Sequence, residues 1–193
     1  MNALSDDAAD PLEPPLRVFL NPGGVHCAAA PTVISTILGS CVAVCLWDRA
    51  LRVGGMNHYL LAHDTRRANN TRFGDVAVER LVEGMLRLGC RPDTMRAKVF
   101  GGAAVLQFGA NGDTVGSQNV RLALQLMHTR GIPVIARRTG GRFGLMIRLH
   151  TDTGDVLVRR LSAGPAPTPD PPQIWPPRVR AIPVEELSES AGC

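Results

Sequence analysis

The segment from Ser35 to His58 constrains the fold more than any other part of the chain. Ser35-Thr36-Ile37-Leu38 and Val42-Ala43-Val44-Cys45-Leu46-Trp47-Asp48 are aliphatic and β-branched enough to form buried strands. A return segment, Val53-Gly54-Gly55-Met56-Asn57-His58, follows closely and predicts a tight antiparallel pair. Gly39 and Ser40 place two small residues ahead of Cys41, so the backbone can bend there and another molecule can approach the sulfur. His58 arrives on the neighbouring strand.

The rest of the chain supplies elements around this pair. Arg17-Val18-Phe19-Leu20 reads as a short strand closed by a turn at Asn21-Pro22-Gly23-Gly24. From Asp75 the apolar positions Val76, Ala77, Leu81, Val82, Met85, Leu86 and Leu88 follow a helical period, and Gly89 provides a C-terminal stop. Met95 to Phe100 is a strand running into Gly101-Gly102, and Asn111-Gly112-Asp113 marks a turn. Ser117 is placed to cap a second helix that carries Val120, Leu122, Leu124, Leu126 and Met127 and stops at Gly131. Ile132 to Ala136, Leu145 to Leu149 and Val156 to Leu161 read as three more strands, the last two joined by a turn around Thr151-Asp152-Thr153-Gly154. Strands outnumber helices and hairpins outnumber crossovers, which predicts an α+β fold: one layered α/β sandwich domain with mostly antiparallel or mixed strands and two main helices.

A chain of 193 residues is long enough for one substantial core and short for two. The division expected is an N-terminal arm over residues 1–16, a domain over 17–162 and a proline-rich tail over 163–193, in which Gln173-Ile174-Trp175 reads as solvated linker. The acidic opening Met1-Asn2-Ala3-Leu4-Ser5-Asp6-Asp7 lacks the layout of a signal peptide and no apolar run approaches a membrane span, so a cytoplasmic protein without membrane insertion is expected. Five cysteines with no CxxC pair argue against a disulfide framework or a zinc ribbon. The net charge of +4 could suggest nucleic acid, but 17 acidic residues are interspersed with the basic ones and only 4% of residues are aromatic, so nucleic-acid binding is not expected.

A thiol beside an imidazole is the minimal equipment for nucleophilic attack, because the ring can take the thiol proton and later hand it to the leaving group. Cysteine is also among the most buried residue types, and on spacing alone Cys41 reads equally as core. Cys45 lies on the same strand face, but Val44, Leu46 and Trp47 surround it as they would a core residue. His63, followed by Asp64, has no further ligand at metal-site spacing, and His26, His128 and His150 carry no signal. Gly101-Gly102 and Gly140-Gly141 lack the flanks of a phosphate loop, so no metal or cofactor is expected. The polar loop from His63 to Thr71 is long for a compact domain and sits just after His58, which makes it a candidate functional segment.

Five ordered segments change the balance. Leu38-Gly39-Ser40-Cys41-Val42-Ala43-Val44, Gly55-Met56-Asn57-His58-Tyr59-Leu60-Leu61, Arg72-Phe73-Gly74-Asp75, Lys98-Val99-Phe100-Gly101-Gly102-Ala103 and Gly140-Gly141 together resemble the signature of the chemoreceptor glutamine deamidases, the CheD family of bacterial chemotaxis. The resemblance implies the CheD fold and hydrolysis of receptor glutamine side chains to glutamate, together with removal of methyl esters from receptor glutamates by some members. It implies Cys41 as nucleophile and His58 as general base. It also implies a third residue, six positions before the nucleophile, that orients the histidine. That position is a threonine in the family and Ser35 here, with Thr36 beside it; strand alternation lets only one of the two face the site, and the register favours Ser35. The amide N–H of Cys41 is a candidate oxyanion donor.

The departures fall elsewhere: Ala62 for a common proline, Phe73 for tyrosine, Leu145 for arginine, and Arg137-Arg138 in a region usually acidic. They bear on receptor choice rather than on chemistry. The partners implied are methyl-accepting chemoreceptors, through their cytoplasmic helical region, and a CheC-type phosphatase. A non-enzymatic chemotaxis module that binds such a phosphatase is the competing reading, and such a module has no need of a reactive thiol.

Overall fold

The structure, a computed structural model, describes residues 14–66, 69–104 and 114–161. The elements run β1 (Leu16–Phe19), β2 (Val25–Ala28), β3 (Thr32–Leu38), β4 (Val42–Asp48), β5 (Val53–Asn57), α1 (Gly74–Arg87), β6 (Met95–Gly101), α2 (Val115–Thr129), β7 (Val134–Thr139), β8 (Leu145–His150) and β9 (Val156–Arg160). They form a four-stranded sheet in the order β1-β3-β8-β9 and a five-stranded sheet in the order β2-β5-β4-β6-β7. Among the strands of the described residues, only β1 with β3 and β6 with β7 pair in parallel. The expected α+β sandwich with two main helices is the architecture found.

The side chains of β4 explain why its sequence shows no polar alternation. Val42, Val44 and Leu46 are buried in one cluster with Ala77, Val78, Leu81 and Met85 of α1. Ala43 and Cys45 are buried in a second cluster with Ile34 and Leu38 of β3 and Ile147 and Leu149 of β8. The five-stranded sheet is therefore the middle layer, with the helices on one face and the second sheet on the other. Each large aliphatic side chain fully buried in this way, such as Leu81 or Leu149, contributes about 1.5–3 kcal/mol.

One expectation about this region changes, and one strand is new. The Ser35 to Asp48 stretch is not one half of a hairpin, because the bend at Gly39-Ser40-Cys41 sends β3 into one sheet and β4 into the other, and only β4 pairs with β5. The edge strand β2 pairs with β5 from Val25↔Asn57 to Ala28↔Gly54, which no pattern in its four residues announced. Gly55 is what admits it: a Cβ there would lie 2.7 Å from Cys27 Sγ and 2.9 Å from Leu81 Cδ1.

The helix boundaries follow capping chemistry. Gly89 and Gly131, at φ +86° and +65°, end α1 and α2 as expected. The cap of α2 is Thr114 rather than Ser117: Thr114 Oγ1 accepts from Ser117 N at 3.1 Å while Thr114 N donates to Ser117 Oγ at 2.9 Å, a reciprocal capping box with Ser117 as the third helical residue. The first strand begins at Leu16, one residue before the expected boundary. Most of the N-terminal arm, the Asn111-Gly112-Asp113 turn and the tail from Ala163 lie outside the described residues. Among those described, no helix is long and apolar enough to cross a membrane.

Candidate active site

The ladder between β4 and the end of β5 puts Cys41 and His58 on one face. Val42 and Tyr59 exchange both main-chain hydrogen bonds, at 3.1 and 3.0 Å, in the register that also pairs Cys45 with Met56. Val42 and Tyr59 point into the helix-side cluster. The residues one position before each, Cys41 and His58, therefore point the other way, toward the seam between the sheets, as diagonal cross-strand neighbours. Cys41 accordingly packs against the inter-sheet cluster. The ladder opens at this point: Val44 N–H donates to Asn57 Oδ1 at 2.8 Å, and His58 instead bonds the turn after β1, with His58 N to Gly24 O at 2.9 Å and Gly23 N to His58 O at 2.7 Å.

The ring of His58 is only 3% exposed and is held by Thr36. Thr36 Oγ1 lies 2.8 Å from Leu20 O and 2.8 Å from His58 Nδ1. The hydroxyl has one proton, which goes to the carbonyl, so its oxygen accepts from Nδ1–H and the lone pair of the imidazole resides on Nε2. That Nε2 is buried and has no hydrogen-bond partner among the described residues. Burial pushes the His58 pKa below its ordinary value, against the raising effect of the Leu20 carbonyl. Burial also raises the Cys41 thiol, opposed by a hydrogen bond from its own main-chain N–H. Both directions favour a neutral thiol beside a neutral imidazole at rest.

This geometry corrects the assignment of Ser35 as the residue that orients His58. Along β3, Ile34, Thr36 and Leu38 are fully buried and face the inter-sheet space, whereas Ser35 and Ile37 are half-buried on the outer face. Ser35 stands opposite Phe19 and Arg148 and gives only its main-chain carbonyl to this region, accepting from Leu20 N at 2.8 Å. Counting back from Cys41 fails because the strand ends at Leu38 and the bend resets the alternation.

Close backbone packing supports the bend that carries Cys41. Gly102 N donates to Cys41 O and Ala103 N to Gly39 O, both at 2.8 Å. Gly101, at φ +102°, lies so near that a Cβ would overlap the Cys41 carbonyl. Asn119, fully buried on α2, donates through Nδ2 to Ser40 O at 3.1 Å and to Leu60 O at 2.7 Å, and its own carbonyl accepts from the Tyr59 hydroxyl at 2.7 Å. Sequence reasoning passed over Asn119 and Asn57. The available signal was a polar residue in the buried stripe Gly116, Asn119, Leu122, Ala123 and Met127 of α2, where a side chain must find partners.

The remaining candidates are placed apart. Cys45 is 2% exposed in the inter-sheet cluster, and burial pushes its thiol up to about 12, as befits a core residue. His63 is exposed and lies 3.7 Å from Asp75 in an ion-pair geometry, which ties the loop to the start of α1.

The chain matches the family described as CheD chemotactic sensory transduction over residues 60–160, a span that begins two residues after His58. A relative from Rhodospirillum rubrum, named "Probable chemoreceptor glutamine deamidase CheD", is 57% identical over 147 residues, 76% of this chain and 84% of its own. The chain belongs to the CheD family. A relative from Anaeromyxobacter dehalogenans, named "Probable chemoreceptor glutamine deamidase CheD 1", is 48% identical over 75% of this chain and 85% of its own. A CheD from Trichlorobacter lovleyi is 42% identical, with 75% and 90% covered.

Proposed function

We propose that this CheD hydrolyses the side-chain amide of glutamine residues on chemoreceptors to glutamate, with Cys41 as nucleophile and His58 as general base. The observation that carries the reading is the Thr36–His58 hydrogen bond, which leaves the lone pair of Nε2 uncommitted on the face that Cys41 shares. His58 Nε2 takes the proton of the Cys41 thiol as Sγ bonds to the amide carbon. The Cys41 main-chain N–H, beside the sulfur, is the donor for the resulting oxyanion. The imidazolium then protonates the nitrogen, the C–N bond breaks and ammonia departs, leaving a thioester. Water adds to the thioester with His58 again accepting a proton, and glutamate and the free thiol are regenerated. A methyl ester enters the same path with methanol as leaving group.

Receptors are substrates through their cytoplasmic helical region, which puts this protein in the cytoplasm, and a CheC-type phosphatase is a second partner that family resemblance supports. The deciding experiment incubates the pure protein with cytoplasmic receptor fragments from the same cell and locates converted glutamines by peptide mass spectrometry. Conversion that disappears with Cys41→Ala is expected. Conversion at the same sites by pure, folded Cys41→Ala would sink the thiol mechanism.

A further inference from the structure

We infer that Asn119 is a positioning residue for the reaction: its amide group sets the separation of Cys41 and His58 by tying the two segments that carry them. The inference rests on the Cys41–His58 reading above and adds a third element, α2, to the site. Two donor protons on one nitrogen reach two carbonyls from different segments, one in the bend before β4 and one beyond the end of β5. One, Ser40 O, belongs to the residue immediately before the nucleophile; the other, Leu60 O, belongs to the residue two positions after the base. Both carbonyls lie where the β4–β5 ladder has opened beyond Cys45↔Met56, and there, among the described residues, the Val42–Tyr59 pair is the main-chain link that joins the two segments directly. Without the asparagine only that pair holds the segments beyond the Val44 N–H to Asn57 Oδ1 bond, and their ends, which carry Ser40 and Leu60, can splay.

The orientation of the amide is fixed by its surroundings. Turning it over would set Oδ1 against two carbonyl oxygens, so Nδ2 must be the atom that faces them. The helix is brought within reach by small residues: a Cβ on Gly116 would overlap the Gly102 carbonyl, and Gly102 itself donates to Cys41 O. Tyr59 closes the arrangement from the other side, since its hydroxyl donates to the main-chain carbonyl of Asn119 at 2.7 Å while its own backbone pairs with Val42. A buried side chain that served packing alone would not need both protons of one amide committed to the two reacting segments.

The test reads Cys41 reactivity directly, with iodoacetamide as probe and labelling at Cys41 followed by peptide mapping across pH. In the unaltered protein the labelling rate has a limb that follows deprotonation of His58, below the ordinary imidazole value and well below the range where the buried thiol ionises alone. His58→Ala removes that limb. Asn119→Asp, which keeps the shape but presents no donor to the two carbonyls, and Asn119→Ala are expected to remove it as well. They should also lower kcat on a receptor fragment by about 10- to 100-fold with KM little changed, the size of effect that a misplacement of about 1 Å produces.

Met127→Ala, farther along α2 and fully buried, is the control for general destabilisation and is expected to keep the limb. Tyr59→Phe loosens Asn119 without baring either carbonyl it holds, and is expected to weaken the limb even if both Asn119 variants fail to fold. Loss of the limb in His58→Ala but its full retention in the folded Asn119 and Tyr59 variants would overturn the role of Asn119. Retention of the limb in His58→Ala would instead overturn the Cys41–His58 reading on which it stands.

Discussion

Replacing Thr36 by valine tests the geometry of the site most sharply, because the change keeps the shape of a fully buried side chain and removes only the oxygen that His58 Nδ1 touches. A net hydrogen bond contributes about 0.5–1.5 kcal/mol, which corresponds to about 2- to 13-fold in rate when the bond matters only for alignment. Leu20 O softens the loss. It stands 3.5 Å from Nδ1 and is released from Thr36 in the variant, so it can accept the ring proton and preserve the tautomer. Thr36→Val is therefore expected to fall about 3- to 10-fold in turnover, whereas His58→Ala removes general-base catalysis and falls about 100- to 10,000-fold. Ser35→Ala, on the outer face, should stay within about twofold of the unaltered protein, the scale of a surface change. Ammonia release from one receptor fragment, measured for all four proteins, decides the matter. If Ser35→Ala is the damaged variant and Thr36→Val is not, the register described for β3 is wrong by one residue.

Three further outcomes follow from the same structure. The proposed mechanism requires His58 Nε2 unprotonated, and burial lowers its pKa, so the acid limb of kcat/KM is expected to have its midpoint below the ordinary value of 6.5; a midpoint above it contradicts the desolvated site. Gly101→Ala places a side chain at φ +102° against the Cys41 carbonyl and should cost about 2 kcal/mol or more in stability, seen as a lowered urea midpoint together with lost turnover; an unchanged midpoint refutes the close approach. The Cys45 thiol, raised from 9.0 to about 12, stabilises the fold below pH 9 and loses that contribution as pH rises toward 12. Stability should therefore fall by about 1.4 kcal/mol per pH unit from this group across that window, and Cys45→Ala should show a shallower decline in urea titrations at pH 8 and 10.

What the sequence made legible was whatever depends on short-range regularity. The glycines after α1 and α2 stop each helix at the expected place, since a left-handed residue is needed there whatever the tertiary context. That Cys41 and His58 share a face was legible because both sit on extensions of one hairpin whose register, Asp48↔Val53 to Cys45↔Met56, recurs beyond the opened stretch at Val42↔Tyr59. What crosses a bend or joins distant elements was not. Ser35 and Thr36 differ only in parity, and parity cannot be counted through Gly39-Ser40. β2 is four half-buried residues held at a sheet edge, too short to show a period. Asn119 binds main-chain carbonyls, which are the same in every sequence, so nothing in the residue types at positions 40 and 60 points toward it.

The protonation of the pair explains why the site needs so much fixed geometry. Burial raises the thiol and lowers the imidazole, and both shifts keep the proton on sulfur. A resting thiolate would be reactive toward any electrophile, whereas in the proposed mechanism the proton leaves as the sulfur attacks. A concerted transfer of this kind depends on the donor and acceptor being held in line, because no preformed ion pair draws them together. Three parts of the fold supply that alignment separately. β3 fixes the tautomer through Thr36, the Val42–Tyr59 pair fixes the face on which both side chains stand, and α2 reaches across the opened ladder to both segments. Since these elements come from the four-stranded sheet, the five-stranded sheet and the helical layer, the proposed mechanism predicts that Cys41 and His58 are aligned for reaction only when all three layers are packed.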